Sequence, residues 1–325
     1  MPPETKVVES VKDEEEINLD YGFYPDERPP DVHVKFGVIN LDKTPGPTSH
    51  QVSSWVKKIA QVSKAGHGGT LDPMVSGVLL IGLERATNAL TYVIHSDKEY
   101  VGVARLQGQV SQDELGKVVA LFQGRIYQRP PQKSAVRRKL RTRFIHSFNV
   151  LEVDERDVLF HIKCESGFYV RKLVHDVGLL LGVGAHLWEL RRVRSGPFME
   201  DETLVDLYRV KDAFHRWRQE GDFTLVKRVV QPMESVFRDF PRIVVRDSAV
   251  GALCHGAKLY APGVLRVTSN VKKGVETAIL TQKGEVVAVA RPLMDYEGVL
   301  EASRGVVASL ERVLMSRDTY PKMWC

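Results

Sequence analysis

The 325-residue sequence has only three cysteines, Cys164, Cys254 and Cys325, far apart and without CxxC or histidine-rich spacing. That scarcity argues against a disulfide framework and a Cys/His zinc site, and it fits a reducing compartment. No apolar run approaches the length of a membrane span, and the acidic head Asp13-Glu14-Glu15-Glu16 is the opposite of a basic signal or transit peptide. A soluble, intracellular protein is the expectation. A strong excess of one charge is also missing. The 46 Lys plus Arg face 41 Asp plus Glu, a net of +5, so the distribution of charge matters more than its sum. Finally, the most glycine-rich loop lacks the Lys-Ser/Thr pair of a phosphate-cradling P-loop, which removes that reading.

That loop is Gly66-His67-Gly68-Gly69-Thr70-Leu71-Asp72-Pro73-Met74-Val75-Ser76-Gly77. Gly66, Gly68 and Gly69 permit left-handed or closely approaching backbone, and Pro73 biases Asp72 towards an extended conformation. The apolar run Val78-Leu79-Leu80-Ile81 would anchor the loop to a core. A carboxylate confined to one shape is a candidate for chemistry, whereas an ordinary turn whose aspartate caps the next element is the plain alternative. Basic residues gather in two runs. Lys133, Arg137, Arg138, Lys139, Arg141 and Arg143 form one, between predicted elements, and Arg191, Arg192 and Arg194 the other. Such clusters attract phosphate chains, a solvated charged face being the alternative.

Length allows about two domains with a substantial core. Residues 1–34, with acids, prolines and little periodicity, read as an extended or partly disordered arm, some of it available to wrap the second domain. Residues 35–240 carry mixed signals. A strand is predicted at 37–41. Thr48 and Gln51 have capping-box spacing before a helix with Val52, Trp55, Val56 and Ile59 on one face. Residues 84–94 look helical, and 98–106 alternate with the period of a strand. Ser111 and Glu114 open a further helix that Gly124 and Arg129-Pro130-Pro131 end. Two strands follow at 144–153 and 158–164. Tyr169 then opens a helix with Val170, Leu173, Val174, Val177 and Leu181 on one side. From Pro241 to 325 the texture changes to short β-rich runs divided by glycines, the spacing of a small barrel.

Several segments resemble those of a known family. Gly66-His67-Gly68-Gly69-Thr70-Leu71-Asp72-Pro73, followed by Ser76-Gly77-Val78-Leu79, resembles the signature of the TruB family of pseudouridine synthases, which convert a uridine in RNA to its C-glycoside isomer. The resemblance implies that Asp72 is catalytic and that His67 helps to displace the target base. Lys98-Glu99-Tyr100 resembles the family's second motif, which implies that Tyr100 packs on the flipped uracil; a tyrosine filling a sheet core is the alternative. Ser166-Gly167-Phe168-Tyr169-Val170-Arg171 resembles another motif, implying that Arg171 pairs with Asp72 and that Tyr169 lies in the pocket. An arginine in a first helical turn is otherwise simply exposed. The segment 187–196 is similar to the family's Leu-Arg-Arg stretch, which would bring Leu190 to the pocket, and the segment 42–49 is similar to a structural motif beside the active-site loop. Lys133, Arg137, Arg138, Lys139 and Arg141 would then be placed for RNA backbone contacts. Asp247-Ser248-Ala249-Val250, His255-Gly256-Ala257 and Pro262-Gly263-Val264 resemble a PUA domain, an RNA-binding module. The implied fold is α+β: a catalytic domain with a mixed, mainly antiparallel sheet, then a small β-barrel.

Isomerising uridine means breaking N1–C1′, turning the uracil and joining C5 to C1′, with no redox change and no group donor. No cofactor and no metal are implied. One carboxylate can serve as nucleophile or as a base towards a sugar proton, and both readings stay open. The target must leave its stack, at a cost of about a few kcal/mol, so a wedge such as His67 and a platform such as Tyr100 are reasonable parts. Short connections where bacterial members have insertions, the stretch 129–136 and the tail 318–324 are similar to the archaeal, dyskerin-like branch. That likeness implies the catalytic subunit of an H/ACA guide-RNA complex. Its partners would be a guide RNA, a substrate rRNA or tRNA, a Gar-type protein, a small Nop-type protein and a kink-turn-binding protein. It would work in an archaeal cytoplasm, or a nucleolus in a eukaryote, without a membrane. A stand-alone synthase for the TΨC arm of tRNA and a catalytically silent RNA-binding scaffold are the alternatives. The joint presence of Asp72, Tyr100 and Arg171 speaks against the scaffold.

Overall fold

A computed structural model describes residues 7–130, 137 and 139–321. Lys133 and Arg138 of the basic run, and Cys325, lie outside the described residues. The chain divides into two compact units, one spanning 38–231, the other formed by the described residues up to 37 and from 232 onward.

The first unit is built on a strand that the sequence marks as an unbroken apolar run. Its principal strands are β1 (Gly37–Lys43), β2 (Ala65–His67), β3 (Ser76–Leu83), β4 (Lys98–Leu106), β5 (Gly124–Gln128), β6 (Arg141–Asp154), β7 (Asp157–Cys164) and β8 (Ala185–Ser195), with two-residue strands at Phe198–Met199 and Gln231–Pro232 completing the sheet. Every residue of β3 is buried, as expected of a strand covered on both faces. In space the order is β1-β3-β8-β4-β7-β6-β5, with β2 also paired to β3. The β3–β8 pair is parallel and the other neighbours are antiparallel. This is the mixed, mainly antiparallel sheet that the resemblance implied.

Helix α1 (Ser49–Ala60) starts with both halves of the Thr48/Gln51 capping box and buries Val52 and Val56, while Trp55 stays exposed. Helix α2 (Gln112–Leu121) is capped by Ser111, which accepts from the Glu114 N–H. Helix α3 (Val170–Leu180) buries Val170, Leu173, Val174 and Val177. Two expectations need correcting. Gly124 does not lead straight to the prolines but opens β5, an edge strand whose Arg125 and Tyr127 are exposed, so it lacked an apolar alternation to betray it. Residues 84–94 are likewise not one helix: a 3-10 turn at Glu84–Asn88 precedes a short helix at Leu90–Ile94.

The second unit is a curled seven-stranded sheet around its own core, which includes Ile243, Val245, Leu253, Val267, Ile279 and Val287. The described part of the N-terminal arm belongs to it. Glu9–Val11 pairs antiparallel with Val264–Thr268, Pro30–Lys35 is helical, and Arg28 is buried against Glu234 and Glu285. No helix among the described residues is long and apolar enough to cross a membrane.

Candidate active site

The Asp72 loop is held by backbone contacts on both of its flanks. The buried Ser49 hydroxyl accepts from the Leu71 N–H at 2.9 Å and lies 3.1 Å from the Leu71 carbonyl. The Gly46 N–H donates to the Pro73 carbonyl at 2.9 Å, and the Val75 N–H closes a turn onto the Asp72 carbonyl at 3.0 Å. Beneath them the buried Lys43 ammonium donates to the carbonyls of Thr44, Pro73 and Val75 at 2.9, 2.8 and 2.8 Å. Burial lowers the Lys43 pKa, and the Asp72 charge opposes that shift. Of the three glycines expected to shape the loop, only Gly69 is left-handed, with φ +120°. Around Gly66 and Gly68 an added Cβ would meet only ordinary contacts, no closer than 3.6 and 3.4 Å. The glycine that the loop cannot replace comes later. Gly77 has φ +96°, and a Cβ there would sit 2.3 Å from the Arg192 carbonyl oxygen across the β3–β8 pair.

Asp72, Tyr100, Tyr169, Arg171 and Leu190 all line one cavity of about 150 Å³. Drug-sized ligands occupy roughly 300–1,000 Å³, so this volume suits a single planar ring. The Arg171 guanidinium, in the first turn of α3, donates to the Asp72 carboxylate. The pair is open to a ligand, the two side chains being 57% and 53% exposed. Tyr169 is fixed from the neglected strand: the buried Gln128 at the end of β5 accepts from the Tyr169 N–H at 2.9 Å and donates to its carbonyl at 3.1 Å. Burial pushes the Tyr100 hydroxyl up in pKa, with Arg192 pulling the other way.

His67 stands apart from these five. It lies on β2 and does not line the cavity; its ring meets His50 edge to face at 4.7 Å. Burial, then His50 and Arg192, lower its pKa, which keeps the imidazole neutral near pH 7. In the basic run, Arg137 and Lys139 are exposed and Arg141 is half-buried at the start of β6.

The second basic run is not a free phosphate-facing patch. Arg191 forms a two-pronged pair with Asp42 at 3.0 and 3.0 Å, and Arg194 donates to the Gly196 carbonyl at 2.8 Å. Arg192 is 1% exposed. Its Nε donates to the Val78 carbonyl at 2.8 Å and an Nη to the Gly69 carbonyl at 3.3 Å, and it stands opposite Tyr100 in the β4–β8 pair. Sequence reasoning missed this residue, although strand alternation puts it on the same side as Leu190, two positions earlier. A second buried cation was missed too. The Lys98 ammonium, at the start of the strand that carries Tyr100, donates to the Val93 and Ser96 carbonyls at 2.7 and 2.6 Å, and burial depresses its pKa to about 7.

A carboxylate held by a guanidinium beside two tyrosines in a base-sized cavity suits chemistry on a single planar ring, and similarity to known proteins says which class of enzyme this is. The family model for the TruB family pseudouridylate synthase N-terminal domain matches residues 57–114 and 106–170. That for the tRNA pseudouridylate synthase B C-terminal domain matches 171–238, a PUA domain matches 241–314, and a DKCLD domain matches 7–53. The chain belongs to the TruB family of pseudouridine synthases, enzymes that isomerise uridine in RNA. A relative from Pyrococcus abyssi called "Probable tRNA pseudouridine synthase B" is 48% identical over 100% of this chain and 97% of its own. A like-named protein of Methanopyrus kandleri is 50% identical over 97% of this chain and 93% of its own. Among solved structures, a chain of an H/ACA RNP bound to a substrate RNA containing 2'-deoxyuridine superposes with a TM-score of 0.92 at 45% identity, covering 100% of this chain and 99% of that one. A chain of a Cbf5-Nop10-Gar1 complex gives 0.91 at 47% identity, covering 98% and 97%.

Proposed function

We propose that this chain is the catalytic subunit of an H/ACA guide-RNA pseudouridine synthase. The observation that carries the reading is the end-to-end similarity to a chain solved within an H/ACA RNP on its substrate RNA, with both units included. On this reading residues 35–240 catalyse, residues 241–325 bind RNA as a PUA domain, and the arm 1–34 precedes them. The partners are a guide RNA, a substrate rRNA or tRNA, and the Gar-type, small Nop-type and kink-turn-binding proteins, in an archaeal cytoplasm.

Asp72 performs the chemistry, as a nucleophile at C1′ or as a base towards the sugar, and Arg171 keeps it aimed. Tyr100 packs on the uracil, and Tyr169 and Leu190 complete the walls. His67 helps to displace the target base rather than lining its pocket, consistent with its place outside the cavity. Arg137, Lys139 and Arg141 meet RNA phosphates, with Lys133 and Arg138 in the same run.

Pseudouridine formation by the purified chain, on a guide-matched RNA and on a tRNA transcript, with and without guide and partner proteins, tests this. Conversion of the guide-matched RNA only in the complete mixture is expected. Conversion of tRNA by the chain alone, with none of the guide-matched RNA in any mixture, would establish the second reading, a stand-alone tRNA enzyme, which the names of the Pyrococcus and Methanopyrus relatives favour.

A further inference from the structure

We propose that Gln128 is a positioning residue for the reaction: its buried amide ties the last residue of β5 to the first turn of α3 and so aims Arg171 at Asp72. The inference rests on the reading of the Asp72 cavity as the site of uridine isomerisation. Gln128 is 2% exposed. It does not line that cavity, whereas Phe168, Tyr169, Val170 and Arg171 all do. Its influence on the chemistry therefore passes through backbone.

Three observations support the assignment. First, both ends of the amide are used on one residue. Its oxygen accepts from the Tyr169 N–H at 2.9 Å, and its nitrogen donates to the Tyr169 carbonyl at 3.1 Å. A carboxylate would only accept there and an ammonium would only donate, so the site calls for an amide. Second, the Tyr169 carbonyl is the point from which α3 starts. The N–H groups of Lys172 and Leu173 both donate to it at 3.1 Å, and no side chain caps the helix. The bond from Gln128 thus joins the sheet to the turn that carries Arg171. At its other end the segment between β7 and α3 is anchored on β6, where the Glu165 N–H donates to the Phe144 carbonyl at 2.9 Å. Third, Arg171 meets Asp72 with one prong, and both side chains are more than half exposed. Such a pair has little hold on its own geometry, so the backbone beneath it decides where the guanidinium points.

A double-mutant cycle on the full chain, with the RNA and partners required for conversion, tests the proposal at a temperature where every variant is folded. Gln128→Met keeps the length of the side chain and removes both hydrogen bonds; Arg171→Ala removes the group being aimed. Gln128→Met is expected to slow single-turnover conversion at saturating RNA about ten- to hundredfold, the upper figure being what a misplacement of about 1 Å can cost. RNA affinity should stay within about twofold, because the amide lies outside the cavity. In the Arg171→Ala background the same change should cost less than about twofold, since Gln128 acts through Arg171. A glutamine that only supported the fold would lower the melting temperature without this loss of rate and without this dependence on Arg171. A full rate in Gln128→Met, or effects that multiply in the double variant, would overturn the proposal. If Gln128→Met does not fold, Gln128→Glu decides at about pH 8, where the carboxylate still accepts from the Tyr169 N–H but has no proton to donate to its carbonyl. A loss of rate that disappears in the Arg171→Ala background supports the tie, and a full rate refutes it. Full conversion by Asp72→Asn would instead remove the site itself, an outcome distinct from a multiplying cycle around an intact Asp72.

Discussion

The two units each contain an arginine paired with a carboxylate, and the pairs differ in every physical respect. Arg28 grips Glu234 with both prongs, at 2.9 and 2.8 Å, with Glu285 a further 3.5 Å contact, and the Arg28 and Glu234 side chains are 3% and 14% exposed. Burial works against the Arg28 charge, yet Glu234 and Glu285 outweigh it and raise its pKa. Burial likewise raises the Glu285 pKa, with Arg28 opposing. Arg171 meets Asp72 with one prong where both side chains are more than half exposed. Exposed pairs contribute about 0–1 kcal/mol to stability, whereas breaking a buried pair costs about 3–5 kcal/mol. The first pair therefore clamps the arm to the barrel core. The second is of little use to the fold and is explained by what it does to Asp72.

The largest effect should come from breaking the clamp. Arg28→Met leaves two carboxylates buried without their cation, and urea unfolding should show a loss of about 3–5 kcal/mol. An unchanged midpoint would erase the contrast between the pairs. Next comes Gly77→Ala. Its left-handed φ and the 2.3 Å approach to the Arg192 carbonyl predict a loss of about 2 kcal/mol or more in melting experiments. Conversion should fall with it, because β3 must move away from the strand that carries Arg192. Arg171→Lys sharpens the comparison from the other side. Single-turnover conversion should drop about tenfold, about 1.4 kcal/mol, since an ammonium is a poor substitute for the guanidinium plane. Thermal stability should stay within about 0.5 kcal/mol.

The last effect is a pH dependence. Folded Lys98 titrates at about 7, whereas the unfolded side chain keeps the ordinary 10.5, so between these values the unfolded chain binds more protons. The burden of the buried ammonium is thus full below about pH 7 and is relieved as pH rises towards 10. Melting of the parent chain should gain on that of Lys98→Met across this window, and parallel curves would show that Lys98 does not titrate there.

The Asp72–Arg171 pair was legible and the clamp was not, for a physical reason. Asp72 lies in a long specific motif, and Arg171 in another, so both could be named from residue order, as could Tyr100, Tyr169 and Leu190. Val78 to Ile81 announced the central strand by apolar continuity, and Thr48 and Gln51 announced α1 by capping chemistry. Arg28 and Glu234 are separated by 206 positions and belong to no motif that marks an ion pair. Arg192 was hidden by its neighbours: three arginines in four positions look like a solvated patch, and only the strand's alternation sends one of them inward. β5 escaped notice because an edge strand needs no apolar face, and its Gln128 proved to hold the pocket's Tyr169. His67 shows the reverse. Its motif is strong, but the cavity closes without it.

The most direct test of the account uses Asp72→Asn, with pseudouridine yield and unfolding free energy measured on the same preparation. Conversion should fall about a thousandfold or more, which is about 4 kcal/mol of transition-state stabilisation. Stability should remain within about 0.5 kcal/mol of the parent, as the exposed pair predicts. Full conversion would contradict the catalytic role, and a loss of fold matching the loss of activity would contradict the division between the two pairs.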